Sequence, residues 1–489
     1  MRGAGSRSWV GMVCFLALFA ANAHADEGRA PKSANPHFDP KAIPVVPVSK
    51  AGSSKATERT GEDWPVFLGP REDGISGETG LIDSIPEAGP PVLWKTRVGT
   101  GYSAPSVLGN TLVYFHRQGD EEIVEAVTAD TGKPLWKHAY PTTYEDPYGY
   151  NNGPRCTPLL RGKRCYTLGA EGKLACLDLA TGKPIWKRDT AADFDIPPAF
   201  FGVGSTPILE GDKLIVMVGG LPNSGMVAFE AETGATAWEV VGAKAFPPPF
   251  GFRFQKDDKL ASYSSPIAVT IGGQRQILAW LRPGFVSLDP KTGKVLHSEF
   301  FRAQVRESVN AARPVVVNDL VFLSAAYELG ALMLKSKPDG KGFTELWRDD
   351  QAMQNHWSTS IHHQGFLYGF SGRHEAPSSF RCVELKTGKV RWETEDVFQL
   401  GISPVRAADD RKLKFYGRAS KILAEGKFIV LSEWGHLALV DVNPEKCIER
   451  GRYKVPELRY PAWAAPILSR GRVYLRDENW LIAFDFKKP

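Results

Sequence analysis

The residues best suited to chemistry stand at the openings of short repeated motifs. Tyr102, Arg155, Tyr263, Trp357, Arg418 and Trp463 each begin a small-residue run such as Tyr102-Ser-Ala-Pro105, Tyr263-Ser-Ser-Pro266 or Trp463-Ala-Ala-Pro466. Arg313 and His356 lie beside the same kind of motif. Aromatic faces combined with guanidinium groups suit a planar or anionic ligand, such as a quinone, an acidic sugar or a carboxylate-bearing peptide. The competing reading is that the aromatics pack together and the arginines pair with local carbonyls. No Ser-His-Asp order, nucleophile elbow or phosphate-cradling loop occurs, and Gly219-Gly220 and Gly272-Gly273 read as turns. His356, His362, His363 and His374 lie close in sequence beside Glu375, but successive strand residues face opposite ways. Neither a metal site nor a catalytic residue is expected from them.

These residues are positioned by a repeat. Cys176-Leu-Asp178-Leu-Ala-Thr181-Gly182-Lys183-Pro-Ile-Trp186 reads as strand, tight turn and strand, with Asp178 and Thr181 bonding the turn and Gly182 tolerating positive φ. Copies lie at Glu230–Trp238 and Glu384–Trp392. Thr128–Trp136 loses the first carboxylate, and Asp289–His297 loses the tryptophan. Each small-residue motif precedes a strand, a turn, another strand and this hairpin. That makes four strands per unit and a period of about 45 to 60 residues, the spacing of propeller blades. Val92-Leu-Trp94-Lys is a last strand without its first three, and Trp480–Asp485 a third strand without a fourth. Joining them closes a ring. The expected fold is therefore an all-β, eight-bladed β-propeller with four-stranded antiparallel blades, closed by pairing of the N- and C-terminal strands. The first strand of each blade should line a channel, bringing the motif-opening residues near one mouth.

Forty-eight glycines and 36 prolines in 489 residues agree with many turns, and a net charge of +5 without a basic block disfavours nucleic acid as a partner. Arg2 and Arg7, an apolar run from Val10 to Ala21, and Ala23-His24-Ala25 read as a signal peptide over 1–25. This predicts an exported protein, periplasmic or extracellular, with no membrane span after cleavage. Residues 26–60 read as a disordered linker, 61–91 as an N-terminal strap and 92–489 as the propeller. Cys156, Cys165, Cys176, Cys382 and Cys447 are an odd set, compatible with one cross-strand disulfide or with buried thiols throughout. Aromatic loops, Tyr140–Asn152, Phe194–Phe201 and Phe246–Phe254, should share the face of the channel mouth, either as a surface for a partner chain or glycan or as caps on the blades.

The recurring Asp/Glu-x-x-Thr-Gly-x-x-x-Trp hairpin resembles the tryptophan-docking motif of pyrroloquinoline-quinone-type (PQQ-like) eight-bladed propellers, over nearly all of residues 92 to 486. The strap resembles that of exported bacterial members. The resemblance implies that Trp94, Trp136, Trp186, Trp238, Trp347 and Trp392 pack between neighbouring blades. It offers two functions. Quinoprotein dehydrogenases of this fold hold PQQ and calcium with adjacent cysteines, carboxylates and a catalytic Asp. This chain has no adjacent cysteines, and Asp349-Asp350 and Asp409-Asp410 lie in polar turns. The propeller lipoprotein of the outer-membrane β-barrel assembly machinery binds partner proteins without chemistry, although its lipid-attachment cysteine is not matched here. The expected function is a ligand- or protein-binding scaffold using the inter-blade-loop face, with a PQQ-dependent oxidoreductase acting on alcohols or sugars as the alternative. Joints lacking the tryptophan, after His297 and after Asp441-Val-Asn-Pro444, should be the weakest.

Overall fold

The computed structural model describes residues 59–196, 200–251, 253, 259–305, 307–374, 377–394 and 415–489. The signal expected over 1–25, the linker expected over 26–60 except its last two residues, Glu375 and the Asp409-Asp410 pair lie outside the described residues. Eight sheets form the molecule, each with four antiparallel strands running outward from the centre, and the seventh carries one extra short strand. Blades 1 to 7 begin with inner strands Ser106–Leu108, Leu159–Arg161, Ile208–Glu210, Ile267–Ile271, Val315–Val317, Ile361–His363 and Ser420–Ala424. Blade 8 takes Ile467–Ser469, Arg472–Arg476 and Trp480–Asp485 from the C-terminus and Val92–Arg97 from the N-terminus. Trp94 pairs with Ala483 across that seam, so the ring closes by backbone hydrogen bonds between the chain's two ends.

The hairpin that joins the blades works through shape as much as through turn chemistry. Asp178 Oδ1 accepts from the Thr181 amide at 3.0 Å and its hydroxyl at 2.7 Å. Gly182 sits at φ +69°, and a Cβ built on it would lie 2.4 Å from the Trp136 ring of the preceding blade. The glycine therefore serves two needs, a left-handed turn and a seat for the neighbour's indole. The indole N–H then finds a carbonyl on the same hairpin: Trp136 Nε1 donates to Leu179 O at 2.8 Å. Trp94 reaches Ala129, Trp186 reaches Ala231, Trp238 reaches Pro290, Trp347 reaches Leu385 and Trp392 reaches Asn443, all within 2.8–3.2 Å. A bulge one residue before each indole aims it sideways. In blades 1, 2 and 5 the extra residue is Leu135, Ile185 or Leu346, unpaired and turned to solvent.

The joints without tryptophan are filled differently. His297 packs against Phe343 at 5.3 Å, and its Nε2 is buried without a partner. At blade 7 the segment leading into Val92–Arg97 lies over the outer strand, Ile448–Lys454. Ile85 N donates to Arg450 O at 3.1 Å, and a Cβ on Gly451 would lie 2.5 Å from Ile85 O. Ile85 thus covers the joint that lacks an indole. All five cysteines of the described chain are buried free thiols.

The strap crosses the channel end where the first two strands of each blade turn. Trp64 and Val107 exchange both backbone bonds, and Leu160 N donates to Pro65 O at 2.8 Å. Ile75–Ser76 adds a parallel strand to the inner edge of blade 7. Arg470 pairs with Asp63 at 2.9 Å. This end of the channel is closed by the chain itself.

Gly182→Ala should destabilise the protein by about 2–4 kcal/mol, from left-handed strain plus overpacking. Trp136→Phe, losing one hydrogen bond, should cost only about 1 kcal/mol. In urea unfolding the double variant Gly182→Ala/Trp136→Ala should be less destabilised than the sum of its singles, because alanine vacates the space the new methyl needs.

Candidate functional site

The connections between blades emerge at the opposite end, and there the motif-opening residues meet. Arg418 precedes the inner strand of blade 7, and Glu433 lies in the turn after Lys427–Leu431 of the same blade. Glu433 is 0% exposed. Its carboxylate accepts from the Arg418 amide at 2.7 Å, from Arg418 Nε at 3.2 Å and Nη2 at 3.0 Å, and from Trp463 Nε1 at 3.0 Å. The guanidinium packs against a pair of touching indoles, 4.9 Å from the Trp357 ring and 5.0 Å from Trp463. Arg418 also donates to Tyr460 Oη and Arg373 O. Its donors are directed into the protein, so it organises the mouth and is not an open anchor.

Rings extend from this centre across several blades. Trp463 lies 4.7 Å from Trp357, 4.9 Å from Tyr102 and 6.1 Å from Tyr150. Tyr150 contacts Phe201, which contacts Tyr148 and Tyr263. Tyr263 Oη accepts from Phe201 N at 2.7 Å. His356 packs against Trp357 at a tilt of 46° and meets Tyr327 Oη at 3.0 Å. Burial, with Arg418 and Arg373 nearby, pushes the His356 imidazole well below its usual range, which keeps it neutral. Arg373 lies 4.6 Å over Tyr327. Arg155 pairs with Asp146 at 2.8 Å and lies over Tyr102 and Tyr144, pinning the connection to blade 2. Tyr148 and Tyr150 remain about two-fifths exposed, at 42% and 38%, and Phe250 is fully exposed on a neighbouring connection.

Seven of the eight expected mouth residues therefore share one face. Arg313 does not: its guanidinium donates to Glu72 of the strap and to Pro266 O, down the channel. Glu433, Tyr327, Arg373, Tyr460 and Glu478 complete the face and were missing from the expected set. Four of these five lie in turns after the second strand of a blade, where a charged or aromatic residue breaking an apolar run is the available signal. Asp349 accepts from the Gln351 and Ala352 amides, an ordinary turn.

The face does not fit a quinone with its cation. Its ring pairs are tilted by 44–56° and in van der Waals contact, so no parallel slot receives a planar tricycle. Among the described residues no three His, Cys, Asp or Glu side chains group to ligate a metal. What it can do is present aromatic surface, with peripheral arginine charge, to a partner segment.

Fold and face together define an eight-bladed PQQ-like propeller with a self-plugged channel and an aromatic loop face. A family model described as outer membrane protein assembly factor BamB matches residues 119–394, more than half of the chain, and the protein belongs to that family. A BamB of Moranella endobia is 25% identical over 172 residues, which is 34% of this chain and 40% of that relative. A BamB of Aliivibrio fischeri is 54% identical over 33 residues, 7% of this chain and 9% of the relative. The matches thus span well under two thirds of the length of these curated relatives. The crystal structure of BamB from Moraxella catarrhalis superposes with a TM-score of 0.52 at 15% identity, covering 81% of this chain and 98% of that one, a likeness of fold. No helix among the described residues is long and apolar enough to cross a membrane.

Glu433→Gln should remove the buried carboxylate that takes three Arg418 donors and the Trp463 N–H, costing about 3–5 kcal/mol in chemical unfolding. Glu478, bonded to Asn151, offers a separate pH test. Burial pushes its carboxyl from 4.5 up to about 7. The native state then holds a proton between those values that the unfolded chain releases, so this group lowers stability as pH rises from about 4.5 to about 7. Relative to wild type, Glu478→Gln should gain stability at pH 8 compared with pH 5, by up to about 3 kcal/mol. Urea midpoints at the two pH values measure it.

Proposed function

We propose that this protein is an exported binding scaffold that holds extended, aromatic-rich segments of partner chains against its loop face during outer membrane protein assembly. The observation that carries the reading is the continuous ring surface from Trp357 to Tyr263, locked from beneath by Arg418 and Glu433 and edged by the exposed Tyr148, Tyr150 and Phe250. A rigid aromatic floor binds apolar segments at low entropic cost, and exposed tyrosines add adaptable hydrogen bonds. The family to which the chain belongs, outer membrane protein assembly factors, supplies the setting. The signal-like N-terminus supports export.

A photo-reactive amino acid placed at Phe250 should give adducts with outer-membrane assembly partners in intact cells, while one at Leu135, on the outer strand of blade 1, should not. Tyr150→Ser should weaken the adducts several-fold. Equal labelling from both sites would overturn the reading. So would a bound-quinone absorbance and dye reduction when the purified protein is mixed with PQQ and Ca²⁺, because that result assigns the face to an oxidoreductase.

A further inference from the structure

We infer that Glu478 is a proton-operated latch on the loop face, holding the tip of the connection between blades 1 and 2 while its carboxyl is protonated and releasing it on ionisation. Its consequence for partner binding rests on the scaffold reading above. The latch itself does not.

The connection stands on two fixed feet. Arg117 of blade 1 donates to Tyr144 O and, at 3.1 Å, to Asn152 O. Between these feet lie Tyr148 and Tyr150, which the connection offers to solvent. Asp146 and Arg155 tie the turn to itself: the carboxylate accepts from Asn151 N at 3.3 Å, and the guanidinium donates to Asn151 O at 2.9 Å. On the blade 8 side the tip is met by Glu478, in the turn between Arg472–Arg476 and Trp480–Asp485. The buried Asn151 amide donates to its carboxyl, and the Tyr102 hydroxyl faces the same group.

The charges around Glu478 leave it without a cation. It forms no ion pair among the described residues. Arg476, on the same turn, commits its guanidinium to the carbonyls of Gly99, Gly101, Ser103 and Phe115. Arg155, across from Tyr102, is taken by Asp146 at 2.8 Å. The adjacent Asp477 is buried and accepts from the amides of Arg459, Asn479 and Trp480. A covered carboxyl that meets only neutral donors, with a second acid beside it, holds its proton more tightly than in water. Burial accordingly pushes Glu478 up to about 7.

Tyr102 carries this state to the tip. Its hydroxyl has one proton and two acceptors in view, the Glu478 carboxyl and Tyr150 O at 3.5 Å. While Glu478 is protonated, its O–H donates to Tyr102 Oη, and Tyr102 donates onward to Tyr150 O. Blade 8 is then bonded through to the backbone of the exposed tyrosine. When Glu478 gives its proton to solvent, the carboxylate can only accept. Tyr102 turns its O–H toward it, and Tyr150 O loses its donor. The new charge gains most by hydration, which requires the tip to lift. Low pH therefore keeps the aromatic face preorganised, and rising pH loosens its edge.

The test is hydrogen exchange of the purified full chain, read as protection factors for amides 148–152 at pH 5.5 and pH 7.5. A carboxyl that titrates at about 7 when covered and about 4.5 when opened lowers the protection by about twentyfold between these values. Glu478→Gln, whose amide reproduces the neutral acid's donor and acceptor, should keep the low-pH protection at both. Amides 292–294, in the Thr-Gly hairpin of blade 4, should not respond. A change below about twofold in wild type, or the same change in Glu478→Gln, would overturn the proposal. So would an equal loss of protection in every blade, which would assign the effect to global stability. No partner is needed for this readout, so missing Phe250 adducts would sink the scaffold reading and leave the latch standing.

Discussion

The ring depends on one repeated contact: an indole laid on a glycine of the next blade, with its N–H on a carbonyl of that same turn. Sheets arranged radially touch only their neighbours, so no central core holds the whole together. Each joint must bring its own apolar area and its own orientation. The tryptophan supplies both, because burial of the ring is large and the single N–H admits one seating. The glycine is the other half of the contact, since any side chain there would occupy the indole's place. Where the indole is missing, other apolar groups occupy the gap, Phe343 with His297 at one joint and Ile85 at another.

Closing such a ring leaves a channel with two mouths, and the protein treats them oppositely. At one end the strap uses backbone groups, adding bonds to open strand edges that would otherwise present unpaired amides and carbonyls. At the other end side chains do the work. Arg418 and Glu433 form a buried pair whose desolvation is costly, and the pair is tolerable because nearly every donor and acceptor of it is used. The guanidinium lies against both indoles, which also touch each other, and the three groups fix one another's planes. The aromatic face is thus preorganised by a charge pair it hides, which suits recognition by contact better than chemistry requiring an open cation.

The local grammar of the blades was legible in the residues. Thr-Gly turns, the strands ending in tryptophan and the complementary half-blades at the two ends all rest on interactions within about ten residues or on strict repetition. The mouth was legible in part, because the motif preceding each inner strand places one residue per blade near the same end. Its carboxylates were not legible. Glu433 sits in a turn that reads like any other polar turn, and only packing shows that it serves Arg418, fifteen positions earlier, and Trp463, thirty positions later.

By itself, then, the sequence determined the architecture, an all-β ring of eight blades closed by both ends, since this follows from short-range turn chemistry repeated at a fixed period; the place of the tryptophans between blades came from the family resemblance. Only the tertiary structure decided what the arginines do. Arg313 and Arg418 stand beside the same motif, yet one reaches down to Glu72, 241 positions away, and the other is clamped among Trp357, Glu433 and Trp463. A long charged side chain can choose among distant partners of similar local surroundings, and that choice is made by desolvation and geometry once the ring has closed.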